Sequence, residues 1–415
     1  MMQSASRREF DPATLDIATP EHYEHHGYPH PEWTWLRNNE PVFWYERDNV
    51  DPFWAITKHA DIIAIGKQPK LFLNAPRLAV FMRELPPPPE NESRHLLNMD
   101  PPDHAAYRRV TSSWFTPRAI KRMDDKVERV TREVLDEAAK KEEGDFVLDI
   151  SAKITIAVIA EMLGVPREDW DLLFRWTNEI IAPEDPDFQH GKTPEETIET
   201  ARLEVFSYFH ELSEKRRAAP TDDIVSVVAN GKVGGETLPP VELLSYYLLL
   251  VVAGNETTRN AMTGGMVAMH DNPGEWDKLR ENPRLVDSAV EETVRWVTPV
   301  IQFARTATRD TELRGKVIHE GDSLCLFYAS GNRDEEVFED PFVFRIDRDP
   351  NPHIAFGMGE HVCLGAHLAR LEIHHAYAAL SRRLKRFELT APVARARSSF
   401  VGGIKRAPMR WRITG

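Results

Sequence analysis

The sequence predicts a mainly α protein with a small β-rich part, and three observations carry that expectation. From Ile120 the apolar residues Ile120, Met123, Val127, Val130 and Val134 recur at alternating spacings of three and four, which lays one face of a helix on a core. Two further stretches, 146–163 and 241–270, are apolar enough to be deeply buried helices. Strand-like residues are confined to a few short runs near residues 42–57 and 303–327.

Taken in order, residues 1–40 form a polar segment rich in His, Pro and aromatics; His25-His26 stands there without convergent partners and is not read as a metal site. Val42–Tyr45 and Phe53–Thr57, with polar residues between them, read as a β-hairpin. The irregular stretch 74–102, which holds the proline run Pro86–Pro89, is long for a structureless loop and is a candidate substrate-binding loop. Phe146–Leu163 ends at Gly164 and Pro166, a helix stop. Thr193-Pro194-Glu195-Glu196 reads as an N-cap, a proline at the first helical position and a capping-box acid, opening a helix to about Arg217. A further helix follows Pro239-Pro240 and runs to about His270, before Pro273. Phe303–Thr308 and Lys316–Phe327 read as strands, with turns at Gly315 and Gly321-Asp322.

The chain of 415 residues, 41% apolar and 28% charged, is long enough for a large core. Its net charge of 52 − 66 = −14 argues against a phosphate backbone as main partner. Cys325 and Cys363 are the two cysteines, too few for a disulfide scaffold or a zinc site of paired thiolates, and in keeping with a reducing cytoplasm. The N-terminus has no apolar signal region, and Leu243–Ala253 is short of the roughly 20 residues a membrane helix needs, so a cytoplasmic protein without an anchor is expected.

Chemistry concentrates in four places. Cys363 lies in Phe356-Gly357-Met358-Gly359-Glu360-His361-Val362-Cys363-Leu364-Gly365, where glycines allow close backbone approach and a following helix start favours a thiolate; a metal-bound thiolate is the reading for Cys363, a buried small hydrophobe for Cys325. Ala253-Gly254-Asn255-Glu256-Thr257-Thr258 sets an acid and two hydroxyls into an apolar helix. Two readings stand: Glu256 pairs locally with Arg259 while Thr257 bonds a carbonyl one turn back, or the acid and alcohol handle protons. Glu292 and Arg295 share a helical face. His104 and Arg108, four apart after Pro101-Pro102, suit an anionic ligand.

The stretch from Phe356 to Gly365 resembles the haem-binding loop of the cytochrome P450 monooxygenases, and the other three motifs follow in family order. The resemblance implies a soluble bacterial-type cytochrome P450 fold, one mainly α haem domain over residues 1–415, with haem b between an oxygen-activating helix at 241–270 and the haem-thiolate loop at 356–365. It implies that Cys363 is the axial ligand of haem iron, that His104, Arg108, Arg305 and His361 contact the haem propionates, and that Ala253 and Gly254 leave room for dioxygen while Glu256 and Thr257 relay protons. Glu292, Arg295 and Arg348 would form a structural network, although Arg345 stands where the family usually has an acid after Phe344. Substrate contacts would come from Leu78, Val80, Phe81 and Met82, from Leu249, Leu250 and Ala253, and from Val300 and Ile301, all apolar. The activity implied is hydroxylation of an apolar molecule of the terpenoid, steroid or branched-lipid class with dioxygen. Electrons would come from a separate ferredoxin and an NAD(P)H-dependent ferredoxin reductase; the basic cluster Arg109, Arg118, Lys121 and Arg122 reads either as the docking site of an acidic ferredoxin or as a solvated helix face. A peroxide-driven peroxygenase and a haem sensor or carrier without turnover are the rivals; an acid and alcohol in relay positions speak against both.

Overall fold

The computed structural model describes residues 11–79 and 94–414. The hairpin pairs Val42–Arg47 with Val50–Ile56 in the register Val42 to Ile56 and Tyr45 to Phe53. It joins a five-stranded sheet in the order Val42–Arg47, Val50–Ile56, Ser323–Phe327, Gln302–Ala307, Phe72–Leu73. Ser323–Phe327 runs parallel to Val50–Ile56 and antiparallel to Gln302–Ala307, so the N-terminal hairpin is completed by strands from late in the chain. The expected run Lys316–Phe327 is two strands: Lys316–Ile318 pairs with Thr311–Leu313 in a separate ribbon, and a turn with Gly321 at φ 87° precedes Ser323.

Helices make up most of the rest. The periodic segment from Ile120 is divided: Ile120 ends the short helix Pro117–Ile120, Lys121–Met123 is a 3-10 turn, and the helix proper is Asp124–Ala138, with Val127, Val130 and Leu135 buried. Phe146–Leu163 becomes a π turn, Val147–Ser151, continuous with the helix Ala152–Leu163, which Gly164 ends in the left-handed region at φ 77°. Thr193 caps Pro194–Ala218 by accepting from the Glu196 N–H at 3.2 Å, while the Glu196 carboxylate reaches back to the Lys192 N–H at 2.7 Å, one residue earlier than a capping box requires. The longest helix, Pro240–Asp271, packs against Ala152–Leu163, Val286–Val297, Trp170–Ile181 and Ala366–Arg383.

Two large apolar clusters meet along that helix. Val158, Leu163, Val205, Phe209, Tyr247 and Val251 belong to one, and Ile154, Met262, Met266, Met269, Ile373 and Tyr377 to the other. Each such side chain removed from water contributes about 1.5–3 kcal/mol, which holds the polar stretch 253–258 in a fixed frame. No helix among the described residues is long and apolar enough to cross a membrane.

Candidate functional site

The loop before the helix Ala366–Arg383 folds back on itself. The Cys363 N–H donates to the Phe356 carbonyl at 2.8 Å and the Gly357 N–H to the Ile354 carbonyl at 2.9 Å. Gly359, at φ 67°, is required by packing: a Cβ there would lie 2.1 Å from the Gly66 carbonyl oxygen at the end of the helix His59–Gly66. That is a different reason from close approach to a ligand. Beside Gly365, by contrast, the space is open.

Cys363 opens onto a cavity of about 490 Å³ lined also by Arg108, Phe115, Phe356 and Arg370. Burial pushes its thiol up, against the Gly365 N–H and the charges of Arg108 and Arg370, which favour the thiolate. The Gly365 N–H, at the start of the following helix, is among the groups that favour the thiolate, and a bound metal deprotonates such a sulfur outright. No residue of Pro240–Asp271 lines this cavity.

Donors without acceptors gather next to the cysteine. His104 is 1% exposed with neither ring nitrogen bonded, and its ring lies 4.0 Å from that of His361, whose buried Nε2 is also unbonded. Arg305, 4% exposed, gives Nη1 to its neighbour's carbonyl, Ala304, at 2.7 Å and also bonds the Tyr328 hydroxyl. Arg108 donates to the Val362 carbonyl at 2.7 Å, which ties it to the cysteine loop. Burial, then the charges of His104, Arg305 and Arg108, hold His361 down to about 2. Burial, then Arg108, also lowers His104, against the pull of Asp100, whose carboxylate is engaged by the N–H groups of Asn74 and Ala75. Among the described residues no carboxylate is bonded to any of the four. Buried donors in this state lack an anion. The two propionates of haem supply that chemistry, so the residues present fit the group.

On the long helix, Ala253 is exposed and Thr257 is half-buried, its Oγ1 donating to the Ala253 carbonyl at 2.9 Å. Glu256 is 3% exposed; its Oε1 takes hydrogen bonds from Arg259 and, at 3.1 Å, from Asn260, while Oε2 is buried and unbonded. Arg259 in turn donates to Asn178 on the helix Trp170–Ile181 at 2.9 Å. The local pairing expected of Glu256 and Thr257 is thus present, and it leaves one carboxylate oxygen free. Gly254 departs from expectation: a Cβ there would lie 2.7 Å from Ile159 Cδ1, so its smallness serves helix packing, and Ala253 alone of the pair is exposed.

Glu292 accepts from Arg295 at 2.7 Å on each oxygen and from Arg348 Nε at 3.0 Å; the first two residues are fully buried and Arg348 nearly so. Arg345 contributes its backbone N–H to the same carboxylate at 2.9 Å and turns its side chain toward Glu339, so the unusual residue leaves the network intact.

The expected substrate contacts divide. Leu78 and Leu249 are partly buried, and Val300 is bridged to Val401. Ile301 is a correction: at 0% exposed it belongs to the cluster of Trp33, Phe53 and Phe327, so it offers no surface to a ligand. Leu250, 7% exposed, is likewise a core residue. Phe81 lies outside the described residues, with Val80 and Met82. The turn at Phe400 went unread in the sequence. Its carbonyl accepts from the Ile301 N–H at 2.9 Å, and its ring lies 5.5 Å from Phe303. The signal was an apolar pair, Phe400-Val401, between two serines and two glycines. Arg109, Arg118, Lys121 and Arg122 are exposed on segments adjoining the cavity residues Arg108, Ser112, Thr116 and Pro117.

Comparison with known proteins agrees with this geometry. Residues 150–403 match the family model described as Cytochrome P450. Steroid C26-monooxygenase of Mycolicibacterium smegmatis is 38% identical over 386 residues, 89% of this chain and 87% of that protein. Cytochrome P450-terp of a Pseudomonas species is 35% identical over 411 residues, 95% of this chain and 96% of that protein. A solved cytochrome P450 of Mycobacterium marinum, in complex with pseudoionone, superposes with a TM-score of 0.89 at 32% identity, covering 98% of this chain and all of the other. With the fold, the haem-fitting donors and these relatives in agreement, the chain belongs to the cytochrome P450 family of haem b monooxygenases.

Proposed function

We propose that the whole chain works as one P450 domain in which Cys363 ligates the iron of haem b and His104, Arg108, Arg305 and His361 hold its propionates. When bound, the haem supplies dioxygen activation and the oxidation of a C–H bond. The protein's own part is to place the substrate, exclude water and deliver protons. Glu256 carries a proton on Oε2, the oxygen without a partner, while Arg259 and Asn260 fix Oε1. Thr257 hands a proton on from Oγ1, exchanging its bond to the Ala253 carbonyl for one to the reacting group. The observation that carries the reading is the set of buried, anion-less donors beside a cysteine that faces a cavity.

The substrate in this reading is a hydrocarbon-rich molecule of the terpenoid, steroid or branched-lipid class, working beside Ala253, Leu78, Leu249 and Val300. Support comes from the apolar side chains there and from relatives named for steroid and terpene chemistry. Apolar lining yields about 25 cal/mol per Å² buried, so affinity needs a ligand with much apolar surface. Electrons come in the cytoplasm from a ferredoxin and its NAD(P)H-dependent reductase, the acidic ferredoxin steered by Arg109, Arg118, Lys121 and Arg122. The test is to titrate terpenoids, steroids, branched fatty acids and sugar phosphates into the haem-loaded protein while following its spin state, then to identify product with a surrogate ferredoxin and reductase. An apolar compound that shifts the spin state and is hydroxylated supports the reading; a response to sugar phosphates alone overturns it.

A further inference from the structure

Resting on the reading of Cys363 as the iron ligand, we propose that Glu291 is a positioning residue that sets the electron affinity of the iron site by clamping the cysteine loop through Arg370 and His353. Glu291 neighbours Glu292 on the helix Val286–Val297 but faces different partners. Its Oε1 accepts from Arg370 Nε at 2.5 Å and its Oε2 from Arg370 Nη2 at 2.9 Å, a two-pronged pair. The same Oε2 lies 3.0 Å from His353 Nε2. His353 Nδ1 accepts from the Ala355 N–H at 3.4 Å, which leaves the ring proton on Nε2, aimed at the carboxylate.

Both partners flank one ring. The Arg370 guanidinium lies 4.3 Å over the centroid of Phe356, and the His353 ring lies 5.8 Å from it. Phe356 is the residue whose carbonyl takes the Cys363 N–H. A single carboxylate therefore holds two groups against Phe356, and Phe356 holds the cysteine. Against burial, which raises it, the two-pronged pairing with Arg370 and the bond to His353 hold Glu291 down to about 2, ionised throughout the neutral range. Arg370 also lines the same cavity as Cys363, so its charge stands beside the site. With Glu291 in place that charge is compensated; without it, an uncompensated cation stands beside a site that gains an electron on reduction.

The test is the midpoint reduction potential of the substrate-free holoenzyme. Glu291→Gln is expected to raise it, by up to about tenfold in the reduced-to-oxidised ratio, which is about 59 mV for a one-electron couple. Arg370→Gln is expected to lower it, and Glu291→Asp, which keeps the charge, to stay near wild type. If Glu291→Gln does not retain haem, Arg370→Gln carries the test with the opposite sign. Potentials equal to wild type in both Gln variants, with only a lower melting temperature, would reduce Glu291 to a brace and overturn the proposal. The carbonyl spectrum of the same samples separates the two readings: no thiolate signature in the wild type defeats the ligand assignment, whereas a thiolate signature with unmoved potentials defeats the role of Glu291.

Discussion

Around Glu292 each guanidinium meets an acceptor: Arg295 takes both carboxylate oxygens and the carbonyls of Asn332 and Pro341, and Arg348 takes the carboxylate and the carbonyls of Glu339, Asp340 and Val343. Around His104, also buried, neither ring nitrogen of His104 nor Nε2 of His361 has a partner among the described residues, and Arg305 meets the Ala304 carbonyl and the Tyr328 hydroxyl but no carboxylate. Burial is the same and the bookkeeping of partners differs. A closed network spends all its hydrogen bonds on the fold. An open one keeps them for something that binds.

That contrast gives opposite outcomes on mutation. Breaking the closed network has the largest effect: Arg295→Met leaves the Glu292 charge buried and short of its main partner, a loss of about 3–5 kcal/mol. No folded holoenzyme is expected from expression at 37 °C, and a variant melting like wild type would break the comparison. In the open cluster, Arg305→Met should weaken haem binding about tenfold to a hundredfold, a charged hydrogen bond being worth about 1.5–3 kcal/mol. The haem-free variant should melt no lower than the haem-free wild type, since an anion-less buried cation is removed; a marked drop would make Arg305 a structural residue. Thr257→Ala sharpens the same contrast on the long helix. Substrate affinity should hold while product per NADH falls several-fold and peroxide rises, because a methyl group donates no hydrogen bond; unchanged coupling would take Thr257 out of proton transfer. The smallest effect is at the surface, where Arg109→Glu with Arg118→Glu should slow reduction by ferredoxin more at low salt than at high salt. Equal slowing at both would remove the electrostatic role.

What the sequence made legible was local. Periodicity gave the helix that became Asp124–Ala138, prolines and glycines marked the ends of Ala152–Leu163 and Pro240–Asp271, and the ten residues around Cys363 pointed to haem. What it hid was set by distant partners. The size limit at Gly254 comes from Ile159, and the requirement at Gly359 from Gly66. Arg259 finds Asn178 across a gap of 81 residues. The resemblance puts Ile301 in the pocket together with Val300, yet alternation in an extended chain sends adjacent side chains to opposite sides, and only Val300 escapes the core.

The central claim is that Cys363 is the iron ligand, and the reduced carbonyl spectrum of the haem-loaded protein tests it most directly. Wild type should give a thiolate-type spectrum, and Cys363→Ala should lose it while circular dichroism still reports a mostly helical chain, because one small side chain facing a cavity contributes little to the core. An unchanged thiolate-type spectrum in Cys363→Ala would contradict the account.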